Sequence, residues 1–125
     1  MIVLCSEHST WLVKVYKRTK TFPREELYGL RAQLRRSAVS VPSNIVEGCG
    51  RDSQADYLRF LDIANGSQKE LRYQVDLSNL LEFFVDHDIQ VLQSNIIDVV
   101  KVLNAFEERR IRFPVHIILK KINQG

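Results

Sequence analysis

Apolar residues recur at spacings of three and four along most of the chain, which is the repeat of an α-helix that buries one face. The repeat predicts helices over about 9–20, 24–48, 53–85 and 88–108, joined by short turns. We therefore expect a single all-α domain over residues 1–125, an up-down-up-down four-helix bundle. Residues 109–125 carry no such repeat, and a strand, a short helix and a disordered end all remain open for them.

The second predicted helix carries two apolar stripes. Its main stripe covers about 80° of arc and predicts the core face, with Leu27, Leu30, Leu34, Ala38, Val41 and Ile45. A thinner stripe, spaced by sevens, consists of Ala32, Val39 and Val46. A small bundle has room for one core, so the thinner stripe predicts an interface with another subunit.

The other three helices each show one stripe. The stripes consist of Trp11, Leu12, Val15 and Tyr16 in the first helix; Tyr57, Phe60, Leu61, Ala64, Leu71, Val75 and Ser78 in the third; and Ile89, Leu92, Ile96, Val99, Leu103 and Phe106 in the fourth. Residues 77–85 are apolar nearly all round, so we expect them to be deeply covered. Gly66 lies in mid-helix and predicts the close approach of another helix, and Pro42 predicts a bend.

The composition fits one ordinary domain that folds without metals or disulfides. Of 125 residues, 45% are hydrophobic, and we see neither a membrane span nor a signal peptide, which predicts a cytoplasmic protein. Cys5 and Cys49 are isolated, and the three histidines are scattered, so we expect no metal site and no cofactor. No paired carboxylates, serine triad or phosphate-binding loop are present, and we expect no enzymatic activity.

Charge is distributed unevenly along the chain. Residues 14–36 carry eight bases against two acids, residues 47–88 carry nine acids against four bases, and residues 101–121 carry six bases against two acids. This layout predicts separate basic and acidic surfaces. A basic run is commonly a solvated helix face, but clustered lysine and arginine also suit the phosphates of a nucleic acid.

The candidate nucleic-acid-binding residues come mainly from the first basic segment. They are Lys14, Lys17, Arg18, Lys20, Arg24, Arg31, Arg35, Arg36 and Arg51. Arg24, Arg31 and Arg35 fall within about 40° of one another on the second predicted helix. The alternative is that these arginines pair with acids of the third helix. Tyr16 and Tyr28 fit either base stacking or the core.

Two further groups have a functional and a structural interpretation. Asn44, Glu47 and Arg51 flank Pro42 and a glycine turn; they suit a ligand notch, but we favour the interpretation that they satisfy backbone groups there. Arg110 and His116 have the spacing of the HEPN ribonuclease motif, although Pro114 interrupts it.

The run from Gln33 to Arg51 (QLRRSAVSVPSNIVEGCGR) closely resembles the 23S rRNA intervening-sequence protein family. Supporting segments are Tyr16–Pro23, Glu26–Leu30, and Tyr57–Ala64 followed by Gly66 and Ser67, so the likeness covers roughly residues 12–105. Residues 1–10 and 109–125 depart from the family pattern.

The resemblance implies a four-helix bundle that forms a ring, typically a homopentamer, and has no enzymatic activity. The family is similar to the accessory variability determinant of bacterial diversity-generating retroelements, a basic bundle that binds nucleic acid and a reverse transcriptase. We therefore expect an oligomer that binds an RNA or DNA backbone. The alternatives are a scaffold for a partner protein and, more remotely, a HEPN-like ribonuclease.

Overall fold

A computed structural model describes residues 11–109, and within them the fold is entirely helical. The described part of helix α1 covers 11–18. A 3-10 helix follows at Arg24–Glu26, and then α2 (Leu30–Cys49), α3 (Gln54–Leu80) and α4 (Asp88–Arg109). Adjacent helices pack side by side, so the predicted all-α four-helix bundle is confirmed. The expectations for residues 1–10 and 110–125, including Cys5, Arg110 and His116, fall outside the described residues.

The core consists of two apolar clusters arranged along the bundle. One contains Val41, Ile45, Tyr57, Leu61, Ala64, Val102, Leu103 and Phe106; the other contains Val15, Phe22, Leu34, Ala38, Leu71, Val75, Ile89, Leu92 and Ile96. Most members of the predicted stripes are among them. Full burial of one such aliphatic or aromatic side chain contributes about 1.5–3 kcal/mol, so these stripes hold the helices together.

Helix α2 begins at Leu30, six positions after the predicted start at 24. The main-chain N–H of Leu30 donates to the Glu26 carboxylate at 2.7 Å, which caps the first turn of α2. A Cβ on Gly29 would lie 2.6 Å from Glu26 Oε2, so glycine leaves the space for this cap. Leu27 therefore falls in the preceding turn and is 38% exposed, and its assignment to the core stripe was wrong.

Helix α3 ends at Leu80 and not at 85. The main-chain N–H of Phe83 donates to the carbonyl of Ser78, and Glu82 takes a positive φ of 60°, the usual way to end a helix. Leu80, Leu81 and Val85 are exposed, so the expected deep covering of this stretch was wrong. Two residues of the turn do fold back on the core: the Phe83 and Phe84 rings lie 5.4 Å and 5.1 Å from that of Phe22.

The close helix–helix approach occurs at Gly48 and not at Gly66. A Cβ on Gly48 would lie 2.9 Å from Phe60 Cβ and 3.3 Å from the Tyr57 carbonyl oxygen, which brings the end of α2 against the start of α3. Among residues 11–109, a Cβ on Gly66 would meet no atom within 4 Å. The expectation for Gly66 was therefore wrong within the described part of the chain.

Helix α2 continues through Pro42, which is buried. Asn44 Nδ2 donates to the main-chain carbonyl of Ser40 at 2.8 Å and to Ser40 Oγ at 3.0 Å. Ser40 Oγ also shares a hydrogen bond of 2.8 Å with Ser67 Oγ of α3. These bonds support the structural interpretation of Asn44, because its amide is occupied beside the proline. Within residues 11–109, none of the helices combines the length and apolarity needed to cross a membrane.

Candidate nucleic-acid interface

A groove of about 460 Å³ opens on the outer surface where α1 and α2 meet. Its lining mixes basic, apolar and hydroxyl side chains: Tyr16, Leu27, Arg31, Ala32, Arg35, Arg36, Val39 and Ser40. Three predicted nucleic-acid-binding arginines and two residues of the predicted subunit interface therefore share one surface. We call it the α1–α2 groove.

Arg35 fixes the wall of this groove by joining the two helices. Its Nε donates to Thr19 Oγ1 at 3.0 Å, and its Nη2 donates to the Tyr16 carbonyl at 3.0 Å. Its guanidinium also lies over the Tyr16 ring, 4.4 Å from the centroid. Because carbonyls at a helix C-terminus lack helical partners, a cation suits this position. Arg35 is thus held in place by Tyr16 and Thr19, and no carboxylate of residues 11–109 forms an ion pair with it.

The α1–α2 groove gathers three arginines on one surface. Partial burial lowers the pKa of Arg35, and the neighbouring Arg31 guanidinium lowers it further, while Tyr16 acts weakly in the opposite direction. Within residues 11–109, no ion pair joins Arg31 or Arg36 to a carboxylate. The groove therefore gathers positive charge that acids of this part of the chain leave uncompensated.

Arg24 does not share a helix face with Arg31 and Arg35. It lies in the separate 3-10 helix, and the turn at 27–29 changes the direction of the chain before α2 begins. The prediction that these three arginines align on one helix was therefore wrong, because it assumed a continuous helix from 24. Arg24 is exposed in its own segment.

The cations of α1 and the turn after it divide into exposed and paired groups. Lys14, Lys17 and Lys20 are exposed, and no ion pair involving them occurs within the described residues. Arg18 Nη1 instead lies 2.9 Å from Asp88 Oδ1, at the start of α4. Arg18 thus pairs with an acid of α4. The alternative that Arg24, Arg31 and Arg35 pair with acids of α3 is different, and within residues 11–109 no such ion pair is present.

Arg51 lies beyond the other end of α2, away from the α1–α2 groove. It pairs with the Glu47 carboxylate, and its guanidinium lies 4.8 Å from the centroid of the Phe60 ring. Glu47 therefore pairs with a side chain and not with the backbone groups we expected. This arrangement ties the glycine turn to α3.

The thinner stripe of α2 divides in the structure. Ala32 and Val39 line the α1–α2 groove, whereas Val46 packs against the core. The sequence reasoning missed Ser40 and Leu27 as groove residues. The signal for Ser40 was present, since positions 32, 36, 39 and 40 fall on one helix face at spacings of three and four. Leu27 gave none, because its place depends on the turn before α2.

The acidic counterpart of the groove lies where α3 and α4 pack near the end of α4. Burial of Glu107, and then the nearby Asp62 carboxylate, raise the pKa of Glu107, while Lys69 acts in the opposite direction. Residues 11–109 bring together no group of three histidine, cysteine or carboxylate side chains suited to a metal ion. The described residues thus separate a basic groove from an acidic pair.

The model of the 23S rRNA-intervening sequence protein family matches residues 5–105. This chain belongs to that family. Within this intervening-sequence protein, the matched region contains all of α2 and α3, the α1–α2 groove and most of α4. No curated protein matches its sequence.

Residues 33–51 are the most recognisable segment of this intervening-sequence protein. The structure explains the residue type at many of these positions. Leu34, Ala38, Val41 and Ile45 form the core face of α2, and Gly48 admits α3. Arg36 and Val39 are exposed in the groove and contribute little to the packing of the bundle. The segment therefore combines a folding face with a surface open to a ligand.

Proposed function

We propose that this protein acts by binding, as a non-enzymatic bundle whose basic surface holds the phosphate backbone of a nucleic acid. The observation that carries the proposal is the placement of Arg31, Arg35 and Arg36 along one groove, where no acid of residues 11–109 forms an ion pair with Arg31 or Arg36. Like charges gathered in this way repel one another. Phosphate oxygens relieve such repulsion because a guanidinium donates two parallel hydrogen bonds to them.

The surface extends from the groove onto neighbouring exposed cations. Lys14, Lys17 and Lys20 supply further positive charge on α1 and the turn that follows it, and Arg24 supplies it on the 3-10 helix. Cations spread over a surface follow a phosphate backbone without reading bases, so we expect weak sequence preference. Arg18 and Arg51 already pair with carboxylates, and we leave them out of the proposed surface.

A salt titration tests this function directly. Fluorescence anisotropy of a labelled single-stranded RNA should give affinities whose logarithm falls linearly with the logarithm of salt concentration, with a slope of roughly 0.7 per neutralised phosphate. The double variant Arg31→Gln/Arg36→Gln should lower that slope by about 1.4.

The double variant Arg72→Gln/Lys101→Gln is the matched control. It removes the same charge from exposed positions of α3 and α4, outside the groove. We expect it to retain the parental slope. Equal slopes for the two double variants, or no binding by the parent protein, would contradict the proposed function.

A scaffold that assembles with itself or with a partner protein is the second candidate. It is favoured by the apolar side of the same groove, where Val39 is 37% exposed beside Ala32. Light scattering of the purified protein tests self-assembly. Affinity capture with and without nuclease distinguishes direct protein partners from those bridged by nucleic acid.

A further inference from the structure

The α1–α2 groove is lined by basic and by apolar side chains. A phosphate backbone would pair with the basic side chains and leave the apolar ones without a partner. Arg31 and Arg36 suit phosphates, whereas Leu27, Ala32 and Val39 present apolar surface. An apolar lining gains free energy only from a ligand that brings apolar surface of its own. The groove therefore suits a ligand that carries a negative group next to a flat or apolar one.

The groove also contains a preformed stacking surface. The Arg35 guanidinium lies over the Tyr16 ring, and its two hydrogen bonds to α1 hold it in that position. Both aromatic rings and guanidinium planes stack on nucleic-acid bases. Because Arg35 is anchored before any ligand arrives, little side-chain freedom is lost when a third planar group is added.

We propose that the α1–α2 groove receives an unpaired base of a single-stranded nucleic acid, whose adjoining phosphate pairs with Arg31 and Arg36. The proposal rests on the proposed function and specifies its substrate as single-stranded. A volume of about 460 Å³ lies within the range of small-ligand sites, roughly 300–1,000 Å³. A paired duplex keeps its bases inside the stack and leaves the apolar lining empty.

The charge of the groove opposes a twofold pairing of two copies through this face; a head-to-tail ring, which joins two different faces, is an outcome of the test below. Two copies related by a twofold axis would bring Arg31 and Arg36 of one copy against those of the other. Like charges placed together across an interface oppose association. A base with its phosphate satisfies the cations and the apolar lining at once.

Three RNA probes of equal length and label test the proposal at one salt concentration: a single strand, the same strand with abasic sites throughout, and a blunt duplex. Stacking of one base predicts that the single strand binds roughly 5- to 150-fold more tightly than the abasic strand. Val39→Ser removes apolar surface from the lining, so it should lower the affinity for the single strand about fivefold and leave the affinity for the abasic strand unchanged. Ile97→Ser, at an exposed position of α4 outside the groove, is the control and should change neither affinity.

Each other outcome overturns a distinct claim. Equal, salt-dependent binding of the single and abasic strands would refute the base site and leave the backbone-binding function standing. Absence of binding to all three probes would refute both. If Val39→Ser reduces the subunit number in light scattering while binding of the single strand is unchanged, the groove belongs to a second copy, and the proposal fails.

Discussion

The two faces of helix α2 differ in what they contact. The inward face, with Leu34, Ala38, Val41 and Ile45, is at most 2% exposed. The outward face carries Arg36 and Val39, which are exposed and line the α1–α2 groove. Both faces come from the same stretch of chain. Their residues are interleaved, and each face recurs at helical spacings of three and four.

The two faces serve two requirements, packing of the core and binding at the surface. In the sequence the residues that meet them are interleaved. Residues of the inward face contribute packing energy, so substitutions there change stability. Exposed residues away from special features change stability by less than about 0.5 kcal/mol, so the outward face is free to serve binding.

The largest effect is expected from truncation of the inward face. Leu34 is completely buried, and Leu34→Ala should lower the free energy of unfolding by about 2–5 kcal/mol through lost burial and the cavity that remains. Val39→Ser, on the outward face, should change it by less than about 0.5 kcal/mol. Urea unfolding followed by circular dichroism measures both. Comparable losses would show that the outward face is also packed.

The glycines Gly48, at the end of α2, and Gly66, in the middle of α3, provide the next largest contrast. Gly48→Ala should destabilise the bundle by about 1–3 kcal/mol, because its Cβ would crowd Phe60 and the Tyr57 backbone. Gly66→Ala should instead stabilise it by up to about 1 kcal/mol, because alanine is the better helix former and the site is open. Thermal unfolding should separate the two variants in opposite directions. A destabilised Gly66→Ala protein would indicate that another subunit packs there.

Arg35 lies between the inward and outward faces of α2. Comparing its variant with a variant of Arg36 tests where the residues that stabilise the fold end. Arg35→Gln removes the bonds to Thr19 Oγ1 and the Tyr16 carbonyl and should cost about 1 kcal/mol of unfolding free energy. Arg36→Gln, whose side chain is exposed beside it, should cost almost nothing. Chemical denaturation of the two variants makes the comparison. Equal stabilities would mean that Arg35 does not fasten α1 to α2.

The smallest effect is a pH dependence at the acidic pair. The pKa of Glu107 is raised in the folded protein, so the folded state holds this proton more tightly, and stability falls as pH rises above the ordinary glutamate pKa. Glu107→Gln should therefore stabilise the protein slightly at pH 7, and the gain should vanish below about pH 4.

The neighbouring exposed residue provides the control for this pH effect. Glu108→Gln removes the same charge one position further along α4, from an exposed side chain. Unfolding curves at several pH values measure both variants. A stabilisation by Glu107→Gln that persists at low pH would assign the effect to packing and not to charge.

The bundle itself was predictable from the sequence because the helical repeat records burial directly. Leu34, Leu61 and Leu103 were placed in the core by their spacing, and the structure buries all three completely. The repeat failed at the helix ends, where Leu27 and Leu80 continue the spacing but lie outside the core. Ends depend on caps such as Glu26 and on a positive φ such as that of Glu82, and periodicity does not detect these.

The candidate site was predictable only in part. The basic segment indicated Arg31, Arg35 and Arg36, which line the groove, but charge along a sequence does not show which cations are already paired. Arg18 and Asp88 are 70 positions apart, and only the tertiary fold brings them together. The shape of the groove also depends on the angle at which α1 meets α2, and a local sequence pattern does not predict that angle.

The ion pair between Arg18 and Asp88 shows where a label can be attached without covering Arg31. It joins the end of α1 to the beginning of α4, and Trp11 packs against the cluster that contains Phe106, so α1 and α4 run in opposite directions side by side. Residues 11 and 109 therefore lie at the same end of the bundle, remote from Arg31. A dye or tether attached at either position leaves Arg31 unobstructed, and a pair of dyes at those two positions reports the separation of α1 from α4.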